Sequence, residues 1–177
     1  GTYLVDHLPA GAFTVTVDSA DLPAGAVPTH DLDGTGTAHT SALTLGDAED
    51  RVDADFGYRG VASVGDHVWF DVDGDGSDTP GPGEPGLAGV PVTVTWAGPD
   101  ATFGNGDDVV ITTTTDADGD YLVTDLPFGA IRVQVDIAAL PGFAPTFDGD
   151  GIGSANQVTV VLTVDDGLTA GVDEANP

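Results

Sequence analysis

The stretch Asp71-Val-Asp73-Gly-Asp75-Gly76-Ser77-Asp78 is the part of the sequence most able to do chemistry. Aspartates at alternate positions, with glycine after the third, gather carboxylates around one point, which suits a hard cation such as Ca²⁺. Mg²⁺ fits less well because it keeps its waters. Asp71, Asp73, Asp75 and Gly76 fill positions one, three, five and six of an EF-hand-like loop. Position twelve, however, is Pro82, and the first glutamate is Glu84, two residues late. Either residues 79–83 bulge so that Glu84 returns to the ion, or Asp78 replaces it. Ser77 lies beside them as a further oxygen ligand. Similar acidic turns occur at Asn105-Gly-Asp107-Asp108, Asp116-Ala-Asp118-Gly-Asp120, Asp148-Gly-Asp150 and Asp31-Leu-Asp33. Calcium is the ion expected at all of them, against a plainer reading in which Asp-Gly runs only make turns or solvate an acidic, halophilic surface. At residues 116–120 a hairpin turn explains the pattern equally well.

The rest of the composition narrows the chemistry. The 177 residues carry 30 acidic and three basic side chains, for a net charge of −27. Such a polyanion is repelled by nucleic acid and by anionic membrane surfaces. The bases are Arg51, Arg59 and Arg132, and 27 of the acids are Asp. With no Cys and no Lys, disulfides, thiolate metal sites, Schiff bases, P-loops and Lys–Asn isopeptide crosslinks are all impossible. No window approaches 18 apolar residues, so no membrane insertion is expected. The opening Gly1-Thr-Tyr-Leu-Val has neither a basic nor an apolar leader region, so no signal peptide is expected and the sequence reads as a piece of a longer or processed protein. For catalysis the inventory is four scattered His and many Asp, with no Gly-x-Ser-x-Gly, His-Glu-x-x-His or phosphate loop. The chain is not expected to be an enzyme.

The elements that must position these residues follow from an internal repeat. Residues 1–18 lie over 119–136, sharing Tyr-Leu-Val, Leu-Pro and Val-x-Val-Asp. With a one-residue gap the match continues to Asp31-Leu-Asp33-Gly34 over Asp148-Gly-Asp150-Gly151. His7 and His30 stand where the second copy has Asp125 and Phe147, so neither position is held to a histidine role. The simplest parse is a repeat of about 117 residues, with 61–177 one complete unit and 1–60 the C-terminal half of a preceding one. Half a β-domain exposes strand edges and an apolar face. Its completion is expected either within a longer array or by strand exchange with a neighbouring chain. Period-two alternation at residues 13–17, 90–96, 131–135 and 157–163 predicts strands, with further ones at 64–70 and 109–115. No stretch has a helical period. The expected class is all-β: tandem Greek-key β-sandwiches of immunoglobulin-like or prealbumin-like kind. Almost no linker separates the units at Phe56-Gly-Tyr-Arg-Gly-Val61, which predicts a stiff rod.

Val64-Gly-Asp-His-Val-Trp-Phe-Asp71, the aspartate loop and Glu84-Pro-Gly-Leu-Ala-Gly-Val90 resemble the opening of the SdrD B-like domain of serine-aspartate repeat surface proteins, related to collagen-adhesin B-type modules. Thr115-Asp-Ala-Asp-Gly-Asp-Tyr121 with Leu126-Pro-Phe-Gly129 resembles its middle, and Asp31-Leu-Asp33-Gly34 ending in Asp55-Phe-Gly-Tyr58 resembles its close. The resemblance implies calcium-stiffened β-sandwich repeats without enzyme activity, serving as an extracellular, cell-surface stalk that holds an adhesive tip away from the cell. Two features depart from the pattern. The loop before Glu84 is long, and the second unit ends Val172-Asp-Glu-Ala-Asn-Pro177 where Phe-Gly-Tyr is expected.

The expected partners are neighbouring repeats of the same protein. Two other readings stand beside the spacer. One is self-association into an extracellular fibre by strand exchange. The other is a module that binds a glycan or host protein, with Trp69, Trp96, Phe103 and Tyr121 as stacking platforms.

Overall fold

The computed structural model describes residues 2–78, 83–154, 156–163 and 170–171. Expectations that fall on residues 79–82 and 172–177 lie outside this set. Among the described residues there are eleven strands and three single-turn 3₁₀ segments, with no α-helix. The chain divides into two compact units. Residues 1–22 and 26–59 form the first, and residues 23–25 and 60–177 the second.

In the first unit β1 (Gly11–Thr16) pairs antiparallel with β3 (Thr40–Leu45), Gly11 opposite Leu45 and Thr16 opposite Thr40. Separately, β2 (Val27–His30) pairs with β4 (Gly57–Arg59), with an irregularity between Pro28 and His30. The two pairs remain two-stranded sheets.

The second unit is a β-sandwich. One sheet has the order β10-β9-β6-β7, built from β6 (Pro91–Trp96), β7 (Val109–Thr114), β9 (Gly129–Val135) and β10 (Gln157–Leu162). The other has the order β11-β5-β8, from β5 (Ala62–His67), β8 (Asp120–Leu126) and β11 (Ala170–Gly171), the last parallel to β5. The path crosses from β5 to the β6–β7 hairpin, back to β8, and across again to β9, which lands beside β6. That crossing pattern is the Greek key. Period-two alternation drives it: β6 buries Val92, Val94 and Trp96, β8 buries Tyr121 and Val123, and β9 buries Ile131 and Val133, all at most 9% exposed. Leu126 at 1% and Leu162 at 2% close the core. The indole Nε1–H of Trp96 donates to the Phe128 carbonyl at 3.2 Å, so its one polar atom is satisfied.

Thr115 fastens the segment after Glu84 to the end of β7. Its backbone N–H donates to Val90 (3.0 Å) and its carbonyl accepts from Gly89 (3.0 Å). Its hydroxyl donates to the Leu87 carbonyl at 2.5 Å and accepts from the Val90 N–H at 2.9 Å. Because the residue is 4% exposed, no water replaces the hydroxyl. Thr115→Val should therefore cost about 1.5 kcal/mol, from two buried groups left unpaired. The check is a lowered urea midpoint with an unchanged m-value.

Candidate metal centre

Two backbone bonds explain how the aspartate loop closes. The Phe70 N–H donates to the Pro85 carbonyl (2.9 Å) and the Leu87 N–H to the Val68 carbonyl (2.7 Å), with Trp69 bridged to Gly86 between them. This short antiparallel ladder puts Asp71 and Glu84, the next residue on each side, across from one another. The late glutamate thus returns to the site. Ligand atoms of Asp71, Asp73, Asp75 and Glu84 all lie within 4.8 Å of one another. Among the described residues they are the one group of three or more potential ligands so placed.

The loop backbone is shaped by the same carboxylates. Asp71 accepts from the N–H of Gly74 (2.6 Å) with one oxygen and from that of Gly76 (3.0 Å) with the other. Asp73 accepts from the Asp75 N–H (3.1 Å), and Asp75 from the Ser77 N–H (2.8 Å). Gly74 and Gly76 turn the chain at φ of 75° and 74°, where side chains are strained. The Thr146 hydroxyl, aided by the N–H groups of Gly76, Gly74 and Asp75, holds the Asp71 carboxyl below its ordinary pKa. The group fits calcium on its own geometry. A shell of Ca–O distances of roughly 2.3–2.6 Å is about 4.6–5.2 Å across, so four oxygens spread over no more than 4.8 Å can touch one ion.

Asp78 has a different partner. It lies 2.8 Å from His67 Nδ1, whose Nε2 is 2.9 Å from the Asp118 carbonyl. Two acceptors flank one ring, and only the imidazolium can donate to both. Burial opposes that charge, but the Asp78 carboxylate, the Asp118 carbonyl and the nearby Asp120 outweigh it and raise the pKa above the ordinary histidine value. The stabilisation is accordingly complete below the unfolded-state pKa of about 6.5 and is lost as pH rises through the higher folded value. Stability should fall on raising pH from about 6 through neutrality, and His67→Gln should flatten that slope in melts across the range. Local spacing carries no hint of His67, whose partners lie 11 and 51 residues away.

The other acidic turns are assembled differently. In the β6–β7 loop, Asp108 accepts from the Gly104 N–H (2.7 Å), Asn105 from the Asp107 N–H (3.2 Å), and the Asn105 amide donates to Asp100 (2.8 Å). Asp100, which the spacing does not suggest, thus joins this loop. Asp116 accepts from the N–H groups of Asp118 (2.9 Å) and Asp120 (3.1 Å), within a tight turn that carries the chain from β7 in one sheet to β8 in the other. Asp148 and Asp150 accept from the N–H groups of Gln157 (3.0 Å) and Thr159 (3.3 Å) and fasten the start of β10. Burial, with Asp150 close by, pushes the Asp148 carboxyl up. In the first unit Asp33 accepts from the Ala42 N–H (3.0 Å) in the corresponding way. Asp31 is only 5% exposed, and neither of its oxygens has a hydrogen-bond partner among the described residues.

The aromatic side chains considered as stacking platforms are engaged internally. Trp96 and Tyr121 are core residues. The Arg132 guanidinium sits 4.0 Å over the Phe103 ring. Trp69 lies between His67 and Phe147, at centroid distances of 6.1 and 5.6 Å.

Residues 62–173 match the model of the SdrD B-like domain. The chain belongs to the SdrD B-like family. It is 34% identical over 154 residues to serine-aspartate repeat-containing protein D of Staphylococcus aureus strain Newman, covering 82% of this chain and 10% of that protein. It is also 34% identical over 132 residues to a bone sialoprotein-binding protein of Staphylococcus aureus strain MRSA252, covering 71% of this chain and 11% of that one. The chain therefore spans about a tenth of the length of these relatives. Among solved structures it resembles a streptococcal ancillary pilin at 17% identity and a TM-score of 0.33, covering 92% of this chain and 41% of that one. Membership of the SdrD B-like family makes the chain a repeat module of an extracellular, cell-surface protein. No helix among the described residues is long and apolar enough to cross a membrane.

Proposed function

We propose that this SdrD B-like chain is a non-catalytic, calcium-stiffened spacer in a surface adhesin, with neighbouring repeats as its partners. The observation that carries the reading is the convergence of Asp71, Asp73, Asp75 and Glu84. Carboxylates about 4 Å apart repel by roughly 1 kcal/mol per pair even in bulk water. Against a net charge of −27 such a cluster favours opening of the loop unless a cation fills it. With calcium bound, Asp71 and Glu84 are tied across the base of the loop, stiffening the end of the sandwich where β5 continues into it. Extracellular modules hold calcium at about 10⁻⁴–10⁻³ M, matched to the outside of a cell.

In the first unit Asp31 is the position where a cation would supply most, since a buried carboxylate with no donor is costly. Asp33, Asn105, Asp107, Asp108, Asp148 and Asp150 stand as further calcium ligands in this reading. With the aromatic rings engaged internally, we assign this chain spacing rather than ligand capture, and leave the binding in one relative's name to that relative.

The test is calorimetric titration of the chain with calcium, with magnesium, and with NaCl at matched ionic strength. A calcium-specific saturable isotherm supports the spacer. Equal responses to calcium and NaCl would show that the aspartates form a halophilic surface instead.

A further inference from the structure

The two units carry the same sequence motif in two different conformations. Tyr121, Val123 and Leu126 of β8 are 9%, 7% and 1% exposed. Their counterparts Tyr3, Val5 and Leu8 are 57%, 65% and 43% exposed, and residues 2–8 form no strand. What differs is the neighbour. In the second unit β8 pairs with β5, Val64 opposite Val123 and Ala62 opposite Leu126. Likewise β9, the counterpart of β1, has β10 on one edge and β6 on the other, whereas β1 has β3 alone. Both missing neighbours, β5 and β6, come from residues 61–118, the part of the repeat that residues 1–60 lack. Every buried apolar side chain among the described residues belongs to the second unit, so the first has strands and no dry core.

We propose that residues 2–45 are the receiving half of a sandwich, and that the occupant is a further half-repeat of the type seen at residues 61–118. The register follows from the complete unit. A β6-type strand pairs antiparallel along the free edge of β1, with Trp96 opposite Phe13, Val94 opposite Val15 and Val92 opposite Val17, as they stand opposite Ile131, Val133 and Val135. A β5-type strand draws residues 2–8 into a strand and covers Tyr3, Val5 and Leu8. Exchange with a second copy of this chain is not favoured. That copy's residues 61–118 already hold its own β8 and β9, so a swap fills one receiver by emptying another. No metal enters this pairing, so its failure and that of the calcium reading are separable.

The test places a second copy of residues 61–118 directly ahead of Gly1 in the full chain and reads amide exchange by mass spectrometry. Peptides spanning residues 2–17 occur once in the extended chain, so their signal is unambiguous. Their exchange should slow roughly a hundredfold or more, as coil and a free edge become interior strands. The same extension with Val92→Asp and Val94→Asp in the added copy only should lose that protection. Unchanged exchange at residues 2–17 in the extended chain would overturn the proposal, as would protection that survives the two aspartates. So would concentration-dependent oligomers of the unextended chain with residues 2–17 protected, which would make a second whole copy the occupant.

Discussion

Asp71→Asn should remove the share of the calcium-dependent rise in melting temperature that the Asp71 site supplies, about 10 °C. The size follows from linkage. An ion that binds only the folded form at a hundred times its dissociation constant adds about 2.7 kcal/mol. For a unit of this size each kcal/mol moves the midpoint by roughly 4 °C. Asp71 is the residue to change because its two oxygens accept from Gly74 and Gly76 while facing Asp73, Asp75 and Glu84. Asparagine keeps the shape, removes one charge, and turns one acceptor into a donor aimed at an N–H. Both tryptophans, Trp69 and Trp96, lie in the second unit, so fluorescence melts report on the unit that holds the loop. Reading the difference between calcium and EDTA cancels any effect of the substitution on the metal-free fold. Asp118→Asn, outside the cluster, should leave the calcium shift intact. The assignment fails if the Asp71→Asn variant keeps the full shift, or if NaCl at the same ionic strength reproduces it.

The cluster is partly legible in the sequence because three of its members are local. Asp71, Asp73 and Asp75 are tied to Gly76 by a loop whose turns are written in the glycines. Glu84 is visible there only as one of two options. Its place depends on the ladder between residues 68–70 and 85–87, which is tertiary pairing and leaves no periodic trace. His67 escapes a sequence reading for the same reason, whereas Asp100 is local to Asn105 but stands outside the run of acidic letters at residues 105–108. Nothing in local spacing says that an imidazole will find a carboxylate on one side and a carbonyl from the β7–β8 turn on the other. At residues 116–120 the local turn chemistry and the metal pattern use the same letters, and the backbone N–H groups of Asp118 and Asp120 both donate to one oxygen of the Asp116 carboxylate.

The fold is more legible, since alternation locates β1, β6, β9 and β10 within a residue or two, and the Val- and Thr-rich run at residues 109–115 locates β7. It does not disclose β8. Tyr121-Leu-Val-Thr-Asp-Leu126 is extended because β5 lies beside it, and Tyr3-Leu-Val-Asp-His-Leu8 shows nearly the same letters without a strand. Strand propensity in such a segment measures the neighbour as much as the residue.

Gly86→Ala should be the most damaging single substitution near the site, costing about 3 kcal/mol and weakening calcium binding roughly tenfold. An added Cβ would stand 1.7 Å from the Asp118 carbonyl oxygen and 2.8 Å from His67 Nε2. The first neighbour is backbone and cannot swing aside, so the strain must go into the chain. One outlet moves the turn at residues 116–119 away, which breaks the His67–Asp118 contact and the bond from the Val68 N–H to the Gly119 carbonyl. The other opens the ladder at Trp69–Gly86, which separates Glu84 from Asp71. Either way stability and metal affinity fall together, because one backbone approach supports both. Gly83→Ala is the control. It lies in the same loop with nothing within 4 Å of its added Cβ and should stay within about 0.5 kcal/mol of the unsubstituted chain. Urea titrations followed by tryptophan fluorescence, with and without calcium, separate the two. If Gly86→Ala is no worse than Gly83→Ala, the ladder does not position the cluster, and Glu84 must be brought to Asp71 by some other part of the loop.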